Sequence, residues 1–104
     1  MTTISKRKLA SMLEEATVDA YNELEQAAGW HATIEDHLAL PFETTVLGVV
    51  VNVTQLDLRG DNCIVAVCTR GRERQVIPIL DLPLPKPKPA GAEWIEAYRH
   101  WLGA

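Results

Sequence analysis

The sequence lacks basic residues over almost half of its length. No lysine or arginine lies between Lys8 and Arg59, although the 104 residues contain ten of them. The same stretch holds nine acids, which are Glu14, Glu15, Asp19, Glu23, Glu25, Glu35, Asp36, Glu43 and Asp57. The net charge of -4 is therefore the sum of an acidic stretch, residues 9 to 58, and a more basic remainder of the chain. Because nucleic-acid binding depends on a basic patch, this chain is expected to have no nucleic-acid partner and to favour cations or basic partners.

Long apolar runs and cysteine pairs are also missing. No apolar stretch of signal-peptide length follows the basic residues Lys6 to Lys8, and no segment approaches the length of a membrane helix. We therefore expect a soluble cytoplasmic protein with no membrane partner. Cys63 and Cys68 are five residues apart on a predicted strand. Their side chains should point to opposite faces, so we expect two free cysteines rather than a disulfide or a shared metal.

Motifs for catalysis are missing as well. The sequence has no nucleophile elbow, no Gly-rich phosphate loop, no EF-hand loop and no H-E-x-x-H arrangement. His31, Glu35 and His37 are close in sequence and suggest a weak metal cluster, but half-buried histidines are the more common explanation. We expect a protein that is not an enzyme.

Apolar residues at helical spacing dominate the first 40 positions. Ser5 is a suitable N-cap, and the residues that follow predict one helix as far as Gly29, with a short second helix over 30–38 that Pro41 stops. The residues that form the apolar stripe of the first helix are Leu9, Leu13, Ala16, Ala20, Leu24 and Ala27. These features predict an acidic helical hairpin at the front of the chain.

From Phe42 onward the pattern is that of short strands. The run 44–53 predicts one central strand with a bend at Gly48, and the alternation in 55–58 predicts another short strand. The runs 63–69 and 74–80 predict a hairpin. Pro78 should lie at a sheet edge or a kink, because proline cannot donate a hydrogen bond to a neighbouring strand. Few strands with tight connections predict a small SH3-like barrel.

The last 23 residues predict a proline-rich strap followed by a helix. Proline alternates with other residues in 82–89, which favours extended polyproline-II structure. In the helix that follows, Trp94, Tyr98 and Trp101 share one face, and residues of that size are expected to be buried. The predicted fold class is α+β in one domain, 1–104. Its parts are helices in 6–40, the barrel in 42–82, the strap in 83–90 and the terminal helix in 91–102.

Carboxylates recur at helical spacing within the acidic stretch. Glu15, Asp19 and Glu23 are four residues apart, and on one helix such like charges destabilise by about 0.2 to 0.5 kcal/mol per pair unless a cation neutralises them. Asn22 adds an amide oxygen, and the acids at 35, 36 and 43 join the cluster if the two helices form a hairpin. Calcium prefers such oxygen ligands. A solvated acidic face explains the same spacing and remains the alternative.

Several segments together resemble the CcbP-like calcium-binding protein family. They are Val18-Asp19-Ala20-Tyr21, Gly29-Trp30, Ile34-Glu35-Asp36, Leu40-Pro41-Phe42, Ile77-Pro78-Ile79-Leu80-Asp81-Leu82 and the closing helix Glu93 to Trp101, in the family's order and spacing. The resemblance covers roughly residues 17 to 102. It implies a small acidic protein that binds calcium without EF-hands, as a buffer or sensor, on a scaffold of helices and an SH3-like barrel.

The resemblance also implies calcium ligands. The ligand hypothesis is Asp19, Glu23, Glu35 and Asp36, with Glu15, Asn22 and Glu43 in reserve. Asn22 stands where the family commonly has aspartate, and the acidic loop between strands is shortened to Leu56–Asn62, so calcium binding should be weaker. The alternative function is a protein-interaction module that has lost calcium. It would hold a protein partner with the face of the terminal helix or with a basic rim of turn residues, which are Arg59, Arg70, Arg72 and Arg74.

Overall fold

The computed structural model describes residues 5–18, 20–60 and 62–103. In this part of the chain, two helices precede a four-stranded sheet and a third helix closes the fold. The elements are α1 (Lys6–Thr17), α2 (Glu23–His37), β1 (Phe42–Val46), β2 (Val49–Arg59), β3 (Cys63–Arg70), β4 (Glu73–Pro78), a 3-10 turn (Ile79–Asp81) and α3 (Glu93–Leu102). This order confirms the predicted α+β class.

The first helix is shorter than predicted. It begins at its expected cap, where the Ser5 hydroxyl accepts a hydrogen bond from the Lys8 amide at 3.2 Å, but it ends at Thr17. The second helix begins at Glu23, and its cap is Asn22, whose side-chain oxygen accepts from the Glu25 amide at 2.9 Å. Asparagine favours such a cap over a helix interior. The prediction of one helix up to Gly29 was therefore wrong.

Gly29 lies inside α2 and not at a helix end. A Cβ atom at this position would overlap the backbone carbonyl oxygen of Ala16 in α1. Glycine is therefore needed here because two helix backbones approach each other, and not because a helix stops. The second helix ends at His37, and the amide of its C-cap, Leu38, donates to the carbonyl of Ile34.

The predicted central strand 44–53 is in fact a hairpin, so that prediction was also wrong. Strands β1 and β2 are separated by Leu47 and Gly48, whose φ angles of 49° and 79° are both left-handed. The type I′ turn, a common two-residue hairpin turn, has positive φ at both central positions. Strand β2 continues past Thr54, the residue that interrupts the apolar run in the sequence. The register of β2 with β3 shifts there, between Val53 and Gln55.

The strands form an antiparallel meander in the order β1-β2-β3-β4. The register pairs Val46 with Val49 and Val53 with Cys68. Within the described ranges, β1 and β4 are the two edges and the sheet stays open, so the closed SH3-like barrel remains a prediction. Pro78 is the last residue of the edge strand β4, as expected for a residue without an amide donor.

The core lies between the helices and one face of the sheet, which we call the inner face. Trp30 and Ile34 of α2 are fully buried, together with Val53 of the sheet. The Trp30 ring lies 5.5 Å from the ring of Tyr98 and 5.7 Å from that of Trp101. The predicted packing of the terminal helix is confirmed, since its aromatic face is covered by the core.

The strap between the sheet and α3 is held by long-range hydrogen bonds. The Thr44 hydroxyl donates to the carbonyl of Pro83 at 2.6 Å, and the Arg99 guanidinium donates to the carbonyl of Leu80 at 2.8 Å. Cys63 is exposed and Cys68 buried, and both are free as predicted. Within the described ranges, no helix is long and apolar enough to cross a membrane.

Candidate metal site

Three of the four predicted ligands lie in one helix, at its two ends. Glu23 is the first residue of α2, whereas Glu35 and Asp36 lie in its last turn. Asp19 lies outside the described residues. At 1.5 Å rise per residue, the twelve residues from Glu23 to Glu35 span about 18 Å, far more than two ligands of one ion can span. The predicted helical hairpin would have brought the acids together, but Glu23, Glu35 and Asp36 share one helix instead.

The reserve ligands are also dispersed. Glu15 is exposed on α1, and Glu43 is exposed on β1. Asn22 is exposed too, but its side-chain oxygen already accepts the amide of Glu25. The three reserve ligands therefore belong to three different elements, and Asn22 alone lies at an end of α2, as its cap.

Local hydrogen bonds order the N-terminal end of α2. One carboxylate oxygen of Glu25 accepts from the Tyr21 amide at 2.9 Å, and the other accepts from the Asn22 amide group at 3.2 Å. Acidic residues at a helix N-terminus are also favoured by the helix dipole. Glu25 therefore acts as part of the cap. No described group within hydrogen-bonding or ion-pair distance engages the exposed carboxylate of Glu23.

A long-range hydrogen bond holds the C-terminal end of α2 on the sheet. The Oε2 atom of Glu35 accepts from the amide of Leu56 at 3.0 Å, just after the irregularity in β2. The Nε2 atom of His31 lies 3.9 Å from the same oxygen, and the Glu35 side chain is 42% exposed. Sequence reasoning missed this role because the partner is a backbone amide 21 residues away.

Asp57 lies next to that contact but is satisfied within its own strand. The Arg59 guanidinium donates to its Oδ2 atom at 3.0 Å, and the Leu58 amide donates to Oδ1 at 2.9 Å. The hydrogen bond from Arg59, followed by that from the Leu58 amide, holds the pKa of the Asp57 carboxyl below its ordinary value of 3.8. This stabilised carboxylate was not among the predicted ligands.

The histidine cluster suggested by the sequence does not form. The Nδ1 atom of His37 lies 2.9 Å from the carbonyl of Thr33, and its ring lies 4.5 Å from that of Trp94. In residues 5–18, 20–60 and 62–103, no group of three or more His, Cys, Asp or Glu side chains could hold a metal ion. The described carboxylates suit calcium in their chemistry, but not in number at any one place, since calcium takes six to eight oxygens.

Comparison with known proteins gives one family and one related structure. The model of the CcbP family, described as calcium binding, matches residues 11–102. The crystal structure of CcbP from Anabaena is similar with a TM-score of 0.70, covering 98% of this chain and 95% of that chain at 18% identity. No curated protein matches the sequence. At this identity the structural similarity shows a shared fold, and the family match extends over most of the chain.

Proposed function

Because the chain belongs to the CcbP family of calcium-binding proteins, we propose that it acts as a buffer or sensor that binds Ca²⁺ without EF-hands. The observation that carries this proposal is the match to the family model, which extends over residues 11–102. A cytoplasmic location and the absence of catalysis remain predictions from the sequence. Burial raises the pKa of the Cys68 thiol, so it stays protonated and lacks the reactivity of a nucleophile.

The charge distribution supports a cation as the ligand. Nine acids lie in residues 9 to 58. In the part of the chain that the structure describes, Asp57 is the one of them whose carboxylate has a lysine or arginine nitrogen within 4 Å. The others have no lysine or arginine in their own stretch to neutralise them. A bound cation would relieve the repulsion between these carboxylates.

We propose as ligands the residues predicted from the sequence, Asp19, Glu23, Glu35 and Asp36. Glu23 is the first residue of α2 and follows Asp19 by four positions in the sequence, whereas Glu35 and Asp36 belong to the end of α2 that contacts the sheet. Neighbouring residues on a helix do not face each other, so Glu35 and Asp36 point in different directions from the end of α2. Backbone carbonyls and water supply the remaining oxygens that calcium requires.

Calorimetric titration of chelator-stripped protein with calcium, with magnesium as competitor, tests the proposal. We expect saturable heat with calcium, little with magnesium, and a higher melting temperature, since a ligand specific for the native state stabilises it by about 2.7 kcal/mol at 100 times its Kd. The double variant Asp19→Asn with Asp36→Asn should lose that calcium-dependent stabilisation but remain folded. Glu93→Gln, an exposed acid of α3, is the matched control. No heat and no thermal shift at millimolar calcium would overturn the proposal.

Tryptophan fluorescence distinguishes a sensor from a buffer. Trp30 lies in α2, and its ring contacts the aromatic residues of α3. A sensor that moves α2 on binding calcium should change this fluorescence with the same calcium dependence as the heat. A buffer should release the heat with no fluorescence change.

A further inference from the structure

Strand β4 is an edge of the sheet, and in the described part of the chain no strand pairs with its free side. Five of its six residues are exposed, and Ile77 is half-buried. The other edge, β1, differs because the proline-rich strap packs on it, with the Thr44 hydroxyl donating to the carbonyl of Pro83. An uncovered edge presents unpaired amides and carbonyls, which can pair with another strand.

The hairpin of β3 and β4 shows which backbone groups point to the free edge. Its turn has two residues, between the paired positions Arg70 and Glu73. The positions that flank a two-residue turn form a hydrogen-bonded pair, and such pairs alternate with pairs that are not hydrogen-bonded. The amides and carbonyls of Arg74 and Val76 therefore point away from β3. Pro78 has the third position of this kind, where a missing amide costs no hydrogen bond to β3.

The edge is basic on the outer face of the sheet, which is the face opposite the inner face. Arg74 and Val76 lie on this face and line a shallow depression together with Arg59 and Gln75. The Nε atom of Arg59 donates to Asp57, whereas Arg74 has no carboxylate within 4 Å among the described residues. Two guanidinium groups against one carboxylate favour an acidic side chain opposite Arg74.

The edge is apolar or uncharged on the inner face, except next to the turn. Gln75 and Ile77 pair with buried residues of β3 and line the same concave surface as the valines of β1 and β2. Arg70 and Glu73, at the turn, are paired positions of opposite charge. A strand added to β4 would therefore place uncharged side chains beside Gln75 and Ile77.

A second copy of β4 does not fit this edge. Antiparallel pairing of two β4 strands would place the Arg74 side chains of both copies on one face of the joined sheet. The acid of β4, Glu73, lies on the opposite face and cannot neutralise them. Like charges on one face of paired strands are destabilising. The occupant of the edge must therefore supply the acidic residue itself.

We propose that the free edge of β4 binds an extended segment of a partner protein as an added antiparallel strand. The segment carries an acidic residue opposite Arg74 and β-branched residues opposite Val76 and Ile77. Main-chain hydrogen bonds to Arg74 and Val76 hold the segment, and its alternating side chains provide specificity. Antiparallel pairing is expected because every strand pair in this sheet is antiparallel. This binding does not depend on the proposed calcium binding.

The peptide acetyl-Thr-Val-Thr-Val-Glu-amide is the probe. Antiparallel pairing places its glutamate opposite Arg74 and its second threonine opposite Val76. The peptide is titrated into the whole protein in chelator and followed by NMR of the backbone amides. We expect one site with a Kd of about 1 mM or tighter, and the largest amide shifts in residues 73–78. No binding, or the largest shifts elsewhere, would overturn the proposal.

Hydrogen exchange of the β4 amides tests the free edge directly. The amides of Arg74 and Val76 should exchange rapidly in the free protein and slowly at saturation with the peptide. Slow exchange of both amides in dilute free protein would show that the edge is already covered and would overturn the proposal. Protection that grows with protein concentration, without peptide, would identify a second copy as the occupant and would also overturn it.

Peptide variants distinguish an added strand from unspecific adhesion. N-methylation of the second threonine removes its hydrogen bond to Val76 and should weaken binding at least about fivefold. N-methylation of the valine that follows changes an amide that points away from β4, and should alter the Kd by less than about twofold. Exchange of the glutamate for lysine should weaken binding at least about twofold. Equal effects of the two N-methyl groups would contradict strand addition.

Arg74→Gln tests the charge on the protein side, and Arg72→Gln is its matched control. Arg72 is exposed in the turn before β4 and has no position in the strand. Arg74→Gln should weaken peptide binding about two- to fivefold, whereas Arg72→Gln should bind like the wild type. Equal losses in the two variants would show that overall charge, and not the acid opposite Arg74, holds the peptide.

Discussion

Both ends of α2 carry acidic residues, but the N-terminal end is exposed to solvent and the C-terminal end packs on the core. At the N-terminal end, Tyr21 and Leu24 are 85% and 63% exposed, and the hydrogen bonds are all to neighbours in sequence. Toward the C-terminal end, Trp30 and Ile34 are fully buried and Glu35 contacts the backbone of β2. One helix thus has a locally ordered beginning and an end that is part of the core.

This difference determines what a bound cation would have to disturb. A cation at Glu23 would meet a carboxylate that has no described partner. A cation at Glu35 would bind a carboxylate that already accepts a hydrogen bond from the amide of Leu56, and would act on that contact. Binding at the C-terminal end is therefore coupled to the sheet, whereas binding at the N-terminal end is local. The predictions below test this contrast, beginning with the largest expected effect.

Replacing Trp30 by alanine should destabilise the protein most. The residue is fully buried between α2, the sheet and α3. Removing such a side chain leaves a cavity and costs about 3–5 kcal/mol of unfolding free energy. The matched change at the other end, Tyr21→Ala, removes an exposed ring and should change that free energy by no more than about 0.5 kcal/mol. Urea denaturation measures both, and similar losses would show that the two ends do not differ.

Replacing Gly29 by alanine tests the contact between α1 and α2. Alanine normally stabilises a helix interior by about 0.5–1 kcal/mol relative to glycine. Here the added Cβ would overlap the Ala16 carbonyl, so we expect a loss of about 1–3 kcal/mol instead. Ala28→Gly, at the exposed neighbouring position, should cost about 1 kcal/mol through helix propensity alone. A more stable Gly29→Ala variant in thermal denaturation would contradict the close approach of the helices.

Local signals in the sequence predicted the elements whose ends depend on neighbouring residues. The Ser5 cap, strand β3 and helix α3 were all found in this way. The break between α1 and α2 was missed because Ala20, Leu24 and Ala27 continue the apolar spacing of α1. A local signal for the break was present, since Asn22 followed three residues later by Glu25 is typical of a helix start.

Two other features had no local signal. Leu47 adopts a left-handed φ of 49° in the β1–β2 turn. Leucine rarely has a positive φ, so the sequence gives no signal for this conformation. The contact between Glu35 and Leu56 depends on how α2 lies across the sheet, and that is set by core packing distant in sequence. The carboxylates proposed as ligands were named from the sequence, but the separation of Glu23 from Glu35 along one helix was missed because the start of α2 at Asn22 was missed.

Replacing Glu35 by alanine in chelator-stripped protein measures the contact with the sheet. The Leu56 amide loses its acceptor in this variant, so we expect the free energy of unfolding to fall by about 1 kcal/mol. This is less than the value for a buried charged group, because the Glu35 side chain is half-exposed and solvent screens its charge. Asp36→Ala removes the neighbouring exposed acid and should change unfolding free energy by less than about 0.5 kcal/mol. Glu35→Gln retains an acceptor and should recover part of the loss. Equal effects at positions 35 and 36 would show that the contact does not stabilise α2.

The smallest expected effect concerns Asp57, on the sheet side of that contact. Its folded-state pKa is lowered by the Arg59 and Leu58 hydrogen bonds, so its stabilisation is present above pH 3.8 and is lost as pH falls through the lower folded-state pKa. Wild type should therefore be more stable than Asp57→Asn at pH 6, and the difference should narrow below pH 3.8. Arg59→Gln should raise the pKa of Asp57 in an NMR carboxyl titration. A difference that widens on acidification would mean that Asp57 is stabilised in its protonated form, which would contradict the role of the hydrogen bonds from Arg59 and Leu58.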